Sequence, residues 1–379
     1  MSLPALNIGS WLGPIFGFIV GLIPLILIHE FGHFLMAKIM GVWAREFGIG
    51  YPPRLAKLFK LGETVFTLNW IPFGGFVKLE GESPMARAED EDEEELPRSP
   101  EAEAHSLYNK PPWERILIFL GGPISNVLTA WLIAILIFTS GIPEIQVVIE
   151  EVASNSPAAN ADVQPGDVIL AINDQEVDAL DDVSAETAES LGEPTRLTLR
   201  RDGEEVQVEL VPRADPPEGQ GAMGVLIAGQ EITGTLQHYS LGESLIYGSR
   251  YFANVVGMTV MLPITIFQRD IPLEQARPVG VVGISRIAEY SVNQSLERSA
   301  LYPFLNMVVL LSVSLGIFNL LPIPALDGGR ILFSLIEAIR GKALTPEIEE
   351  RIHTITFLLL IALFIFITAL DILNPIPLP

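Results

Sequence analysis

Cysteine is absent from this chain of 379 residues. No disulfide therefore supports any part of it that faces an oxidising compartment. Positive charge is scarce: 23 Lys and Arg stand against 46 Asp and Glu, a net charge of −23, which argues against a nucleic-acid partner. Much of the acidic excess lies in the run Glu89 to Glu95, inside a loop of about 86–104 that reads as solvated and unstructured. Lys and Arg are missing altogether before Trp11, from Trp11 to Met36, and after Leu370. The first apolar stretch thus has no basic leader, nor a small-residue cleavage site, and reads as a retained span rather than a signal peptide.

Apolar residues make up 49% of the chain, and the mean hydropathy is +0.40. Stretches near the ~20 residues that cross a bilayer run from Trp11 to Met36, Ile116 to Thr139, Tyr302 to Leu321 and Thr354 to Leu370. A further stretch, Ser244 to Phe267, carries Ser249, Arg250 and Asn254 among its apolar residues and reads as a helix lying in the interface. The expected fold is a polytopic α-helical membrane protein with about four transmembrane helices. Lys38, Arg45, Arg54, Lys57 and Lys60 follow the first span, and Arg330, Arg340, Lys342 and Arg351 follow the third. Positive charge marks cytoplasmic loops, so both termini and the long 141–299 segment are expected outside.

The organisation that follows has four parts. Residues 1–140 hold two spans and a cytoplasmic loop, with a β-hairpin over about 64–80 around Pro72-Phe73-Gly74-Gly75. Residues 141–213 read as a small α+β domain, with strand-like runs at Ile145–Val152, Val168–Ile172, Leu197–Arg200 and Val206–Val211 and turn pairs at Asn173-Asp174 and Asp202-Gly203. Pro212 to Gly221 reads as a linker, opening a 214–300 region that includes the interfacial helix. Residues 301–379 hold the last two spans.

His29-Glu30-Phe31-Gly32-His33 lies inside the first span. Residues four apart share a helix face, so both imidazoles can reach one zinc ion, with Glu30 beside it as a general base. Two His and a Glu are costly at membrane depth, which makes them functional candidates by default. Catalytic zinc usually takes a third protein ligand and keeps one open position. His105 and His238 stand in loops and His353 opens the fourth span. Asn319-Leu320-Leu321-Pro322-Ile323-Pro324-Ala325-Leu326-Asp327-Gly328-Gly329 closes the third span, and Asp327 is its only carboxylate. Its prolines break the helix, and unwound backbone at that depth belongs where protein or water covers it.

HExxH in the first span, a PDZ-like segment in the middle and N-x-x-P-x-P-x-L-D-G after the third together resemble the site-2 protease family, in its bacterial RseP-type branch. The resemblance implies an intramembrane zinc protease of the bacterial inner membrane with one extracytoplasmic PDZ domain. It implies His29, His33 and Asp327 as Zn2+ ligands, Glu30 as general base, and Asn319 as a residue holding the substrate backbone. Ser314 stands where the family often has another Asn. The hairpin resembles a membrane-reentrant β-loop, in which Gly74, Gly75, Phe76 and Val77 hold an extended substrate by strand addition. Gly122-Pro123-Ile124-Ser125-Asn126 resembles another family signature, with Asn126 as a helix-packing polar contact. Expected partners are the lipid bilayer and single-span membrane proteins, such as anti-sigma factors or remnant signal peptides. A non-catalytic scaffold presenting a PDZ domain would not need the His29, Glu30, His33 and Asp327 set. A metal transporter would carry more ionisable groups in its second and fourth spans.

Overall fold

The computed structural model describes residues 17, 19–82, 100–177, 179–217, 219–268, 278–342 and 345–375. The acidic run Glu89 to Glu95 and the start of the first expected span lie outside them. In chain order, helix α1 (Ile23–Ile39) leads into two long strands, β1 (Ala44–Leu61) and β2 (Thr64–Leu79), and then helix α2 (Pro112–Ser140). Strands β3 (Ile142–Val152), β4 (Val168–Ile172) and β5 (Gln175–Glu176), helix α3 (Leu180–Glu189), and strands β6 (Thr195–Arg201), β7 (Glu204–Leu210) and β8 (Val225–Gln237) follow. The chain ends in helices α4 (Leu241–Gln268), α5 (Val281–Glu297), α6 (Tyr302–Asn319), α7 (Asp327–Arg340) and α8 (Pro346–Leu373). Two compact units result: 1–140 with 239–379, and Gly141–His238.

In the first unit, five helices among the described residues are long and apolar enough to cross a membrane: Ile19–Ile39, Pro112–Ser140, Leu241–Gln268, Tyr302–Asn319 and Arg351–Leu373. Four correspond to the expected spans. The fifth is α4, where the sequence pattern predicts an interfacial helix. Two of its polar residues pack against neighbouring helices: Ser249 accepts from Trp131 Nε1 of α2 at 3.0 Å, and the Tyr251 hydroxyl donates to Asn306 of α6, while Arg250 and Asn254 are exposed.

Close helix contacts set the directions. Ser125 Oγ donates to the Ile28 carbonyl at 2.9 Å, and His33 Nδ1 lies 2.9 Å from the Ile118 carbonyl, so α1 runs antiparallel to α2. Ser312 Oγ donates to the Asn126 carbonyl at 2.8 Å, and a Cβ on Gly316 would stand 3.1 Å from the Pro123 carbonyl. Helix α6 is therefore also antiparallel to α2, and parallel to α1. Small residues permit this approach: a Cβ on Gly32 would lie 2.2 Å from the Gly121 carbonyl, and one on Gly121 would lie 2.5 Å from that of Gly32.

The β1–β2 sheet corrects the expected hairpin. Val65–Ile71 and Phe76–Leu79 do not pair with each other. Both flank the start of β1: Gly48 pairs with Phe76 on one side and Thr67 on the other, and the far half of β1 returns along β2, Phe59 opposite Phe66 and Leu61 opposite Thr64. The tight turn is Gly62-Glu63, with Gly62 at φ +61°, so residues 75–79 form an outer edge of the sheet.

The Gly141–His238 unit is a sheet in the order β7-β6-β4-β3-β8, with β5 on β4. Its core gathers Val147, Ile149, Ile169, Ile172, Leu197 and Leu199 under Val183 of α3. Asn173-Asp174 and Asp202-Gly203 all adopt positive φ, the geometry of tight hairpin turns. Asp162, at φ +59°, likewise holds a left-handed position that Asp tolerates. The expected boundary at 213 falls short. Strand β8 pairs along β3, Val148 opposite Ala228 and Val152 opposite Val225, and Met223 enters the core. Asp167 is 1% exposed and accepts from Arg201 Nε and a terminal nitrogen, both at 2.7 Å, and from the Gln164 amide at 2.8 Å. Burial alone would raise its pKa, but the Arg201 and Gln164 hydrogen bonds outweigh it and hold the carboxyl below the usual range.

Candidate metal centre

His29 and His33 sit on one face of α1, a turn apart, both buried. Asp327 reaches them from 298 positions further along the chain. It is the first residue of α7, delivered by the unwound Leu320–Leu326 segment. That segment turns on hydrogen bonds from the Ile323 amide to the Leu321 carbonyl at 2.7 Å and from the Leu326 amide to the Ile323 carbonyl at 2.8 Å. Gly328 and Gly329 make the fold-back feasible, since a Cβ would meet the Leu321 carbonyl at 2.2 Å or the Ile323 carbonyl at 2.3 Å.

His29 Nε2 lies 2.9 Å from Asp327 Oδ2 and 3.1 Å from His33 Nε2, and His33 Nε2 lies 3.3 Å from Asp327 Oδ2. Three donors around one zinc at ~2.0–2.1 Å in tetrahedral geometry stand roughly 3.3 Å apart, so this cluster fits the ion. The space beside it is kept open by Gly122 of α2, where a Cβ would fall 2.3 Å from His33 Nε2 and 2.7 Å from His29 Nε2. No other group of three or more metal-ligating side chains among the described residues meets the same spacing. His105 is engaged elsewhere, its Nδ1 2.7 Å from the Gly41 carbonyl and its ring stacked on Trp43.

Glu30 follows His29 on α1, and the β2 edge passes beside it. A Cβ on Gly75 would lie 3.7 Å from Glu30 Cγ, and one on Gly74, at φ +121°, would lie 3.4 Å from Ile26. Phe76 stacks on Tyr51, and Val77 packs on the cluster of Ala37, Val42 and Leu79. Asn319, the last residue of α6, donates to the Leu315 carbonyl of its own helix at 2.9 Å and not to the three donors.

Two buried imidazoles on α1 and an Asp behind a broken helix form a candidate site that comparison with known proteins puts in a family. The model of peptidase family M50 matches residues 17–363. The chain belongs to that family, the site-2 proteases. A Clostridium perfringens protein that carries the name of a zinc metalloprotease is 33% identical over 93% of this chain and 96% of its own length. The zinc metalloprotease RasP of Geobacillus kaustophilus is 29% identical over 94% and 97%. The regulator of sigma-W protease RasP of Bacillus subtilis is 26% identical over 94% and 98%. This M50 chain is accordingly a membrane-embedded zinc metalloprotease of the site-2 type.

Two features of the site escape the reading of its sequence. Gly122 reads only as the first residue of the Gly122-Pro123-Ile124-Ser125-Asn126 signature, and its place against both imidazoles needs the α1–α2 packing. Asn126 reads as a packing residue, yet its side-chain nitrogen stands 3.3 Å from His29 Nδ1.

Proposed function

We propose that this M50 protease hydrolyses peptide bonds in or near the transmembrane segment of single-span membrane proteins, with zinc held by His29, His33 and Asp327 and Glu30 as the general base. The convergence of the three donors beside Glu30 carries the proposal. Bound zinc supplies Lewis-acid chemistry, acidifying a water and polarising the scissile carbonyl. Glu30 takes the proton from the attacking water and returns it to the leaving amine nitrogen. A substrate helix must first open its own hydrogen bonds. The unpaired β2 edge at Gly74, Gly75, Phe76 and Val77 offers a strand to which the opened segment adds, next to Glu30. Asn319 holds the same segment from the end of α6, once its amide leaves the Leu315 carbonyl.

The Gly141–His238 unit is read as a PDZ domain on the extracytoplasmic side. Supporting that reading are its antiparallel sheet, the helix α3 packed on it, and the tight turns of its strands. Four crossings of the plasma membrane, with the basic loops in the cytoplasm, would put the metal toward the cytoplasmic side. The natural substrates proposed for this chain are single-span membrane proteins already shortened outside, such as anti-sigma factors or remnant signal peptides.

The test is cleavage of a tagged single-span substrate by the detergent-purified protein, beside Glu30→Gln and a zinc chelator. Glu30→Gln is expected to keep zinc and lose about 10²–10⁴-fold in rate, and the chelator to abolish cleavage. Full cleavage in both controls would refute the mechanism.

A further inference from the structure

The two metal-binding imidazoles need their second nitrogens held, and the structure shows how one of them is. A neutral imidazole carries one N–H, so a ring that offers Nε2 to zinc must carry its proton on Nδ1. His33 meets that condition: its Nδ1 stands 2.9 Å from the Ile118 carbonyl, which can only accept. His29 Nδ1 faces the carboxamide of Asn126 instead, 3.3 Å from Nδ2. Asn126 is fully buried, and its Oδ1 has no hydrogen-bond partner. With Nδ2 toward the ring, Asn126 donates to a bare Nδ1, and the His29 proton sits on Nε2, facing Asp327 at 2.9 Å. That tautomer cannot bind zinc through Nε2. A half-turn of the terminal amide exchanges oxygen and nitrogen with almost no change of shape. Either orientation leaves one amide atom without a partner, so the metal decides between them.

We propose that Asn126 is a positioning residue for the metal: its Oδ1 accepts from His29 Nδ1–H in the zinc-loaded protein and so holds the tautomer that bares Nε2. Helix α2 then orients both ligands, His33 through a backbone carbonyl and His29 through a side chain two turns further on. The inference rests on the zinc site proposed above. It predicts an order of variants opposite to that of a packing role. Asp is acceptor-only and can replace the Oδ1 contact, whereas Leu is close in size and offers no acceptor. If Asn126 merely packed, Leu would be tolerated and a buried Asp would do the damage.

The experiment measures zinc affinity of the full chain in detergent by competition with a chromophoric chelator, alongside the thermal stability of the metal-free forms. Asn126→Leu is expected to weaken zinc binding about 10–100-fold, and Asn126→Asp to stay closer to wild type than Asn126→Leu. Should Asn126→Leu fail to fold, Asn126→Ala takes its place with the same expectation. Wild-type affinity in the Leu or Ala variant, or weaker binding by Asp than by Leu, would overturn the inference while leaving the zinc site standing. A wild-type chain that binds no zinc, or a His29→Ala variant that binds as wild type, would overturn the site itself and the inference with it.

Discussion

Gly122→Ala puts one methyl group into the cradle between the imidazoles. The new Cβ would stand 2.3 Å from His33 Nε2 and 2.7 Å from His29 Nε2. An ordinary contact needs about 3.5 Å, so His33 Nε2 must retreat by about 1 Å. It has little freedom to do so, because its Nδ1 is tied to the Ile118 carbonyl at 2.9 Å. A displacement of ~1 Å in a catalytic constellation costs on the order of 100-fold in rate, and disturbance around the ligands costs about 10–100-fold in zinc affinity. The fold should not suffer, since the methyl meets side-chain nitrogens, and Ala gains about 1 kcal/mol over Gly in helix propensity. The neighbouring Gly121→Ala serves as contrast, since its methyl would meet the Gly32 carbonyl at 2.5 Å and should cost about 1–3 kcal/mol of stability. Zinc affinity, cleavage rate and metal-free thermal stability are compared for both variants. Wild-type zinc affinity and cleavage in Gly122→Ala would refute the placement of the metal beside this glycine.

A soluble 141–238 fragment is expected to unfold cooperatively by circular dichroism, and a 145–213 fragment is not, because it loses β8 and Met223 from the core; cooperative unfolding of the shorter piece would refute that boundary. The same fragment should be acid-sensitive through Asp167. Its folded pKa lies below the unfolded value of about 3.9, so its stabilisation is complete above that value and is lost as pH falls through the folded one. Asp167→Asn should remove that part of the acid dependence, and an unchanged acid profile would sink the assignment. With no native cysteine, single cysteines report side directly: Lys342→Cys should label only from the cytoplasm, and Asp202→Cys and Gln268→Cys only from outside. Labelling of Gln268→Cys from the cytoplasm would refute a chain of four crossings in which α4 does not cross.

What was legible in the sequence is what spacing encodes. His29 and His33 declare a shared face through a four-residue interval, and Asp327 stands out as the one carboxylate behind Pro322 and Pro324. Strand pairing across distance is not encoded that way. Residues 64–79 have the pattern of a hairpin closed on itself, but the 44–50 segment takes both halves as partners. The Pro- and Gly-rich 212–221 stretch has the composition of a domain linker. It is instead a loop of the domain, with Arg213 N–H bonded to the Ala222 carbonyl at 2.9 Å, before β8 closes the sheet. Gly122 and Asn126 belong to the same class: their meaning lies in what α1 brings against them.

Helix α4 shows where composition stops and direction takes over. Its Ser249 and Tyr251 satisfy α2 and α6, so polar residues in an apolar stretch cannot separate a helix in the interface from one packed among spans. The directions of α1, α2 and α6 can. Helices α1 and α6 are parallel, and both oppose α2. If α1 enters the membrane from outside, α2 leaves it, and α6 must enter from outside again. The chain between α2 and α6 therefore makes no net crossing, whatever depth α4 reaches. A single crossing by α4 would start α6 in the cytoplasm, reverse it, and carry Asp327 to the far face from His33, yet the two lie 3.3 Å apart. The geometry of the metal centre thus argues against an odd number of crossings between α2 and α6, independently of the positive charges in the loops.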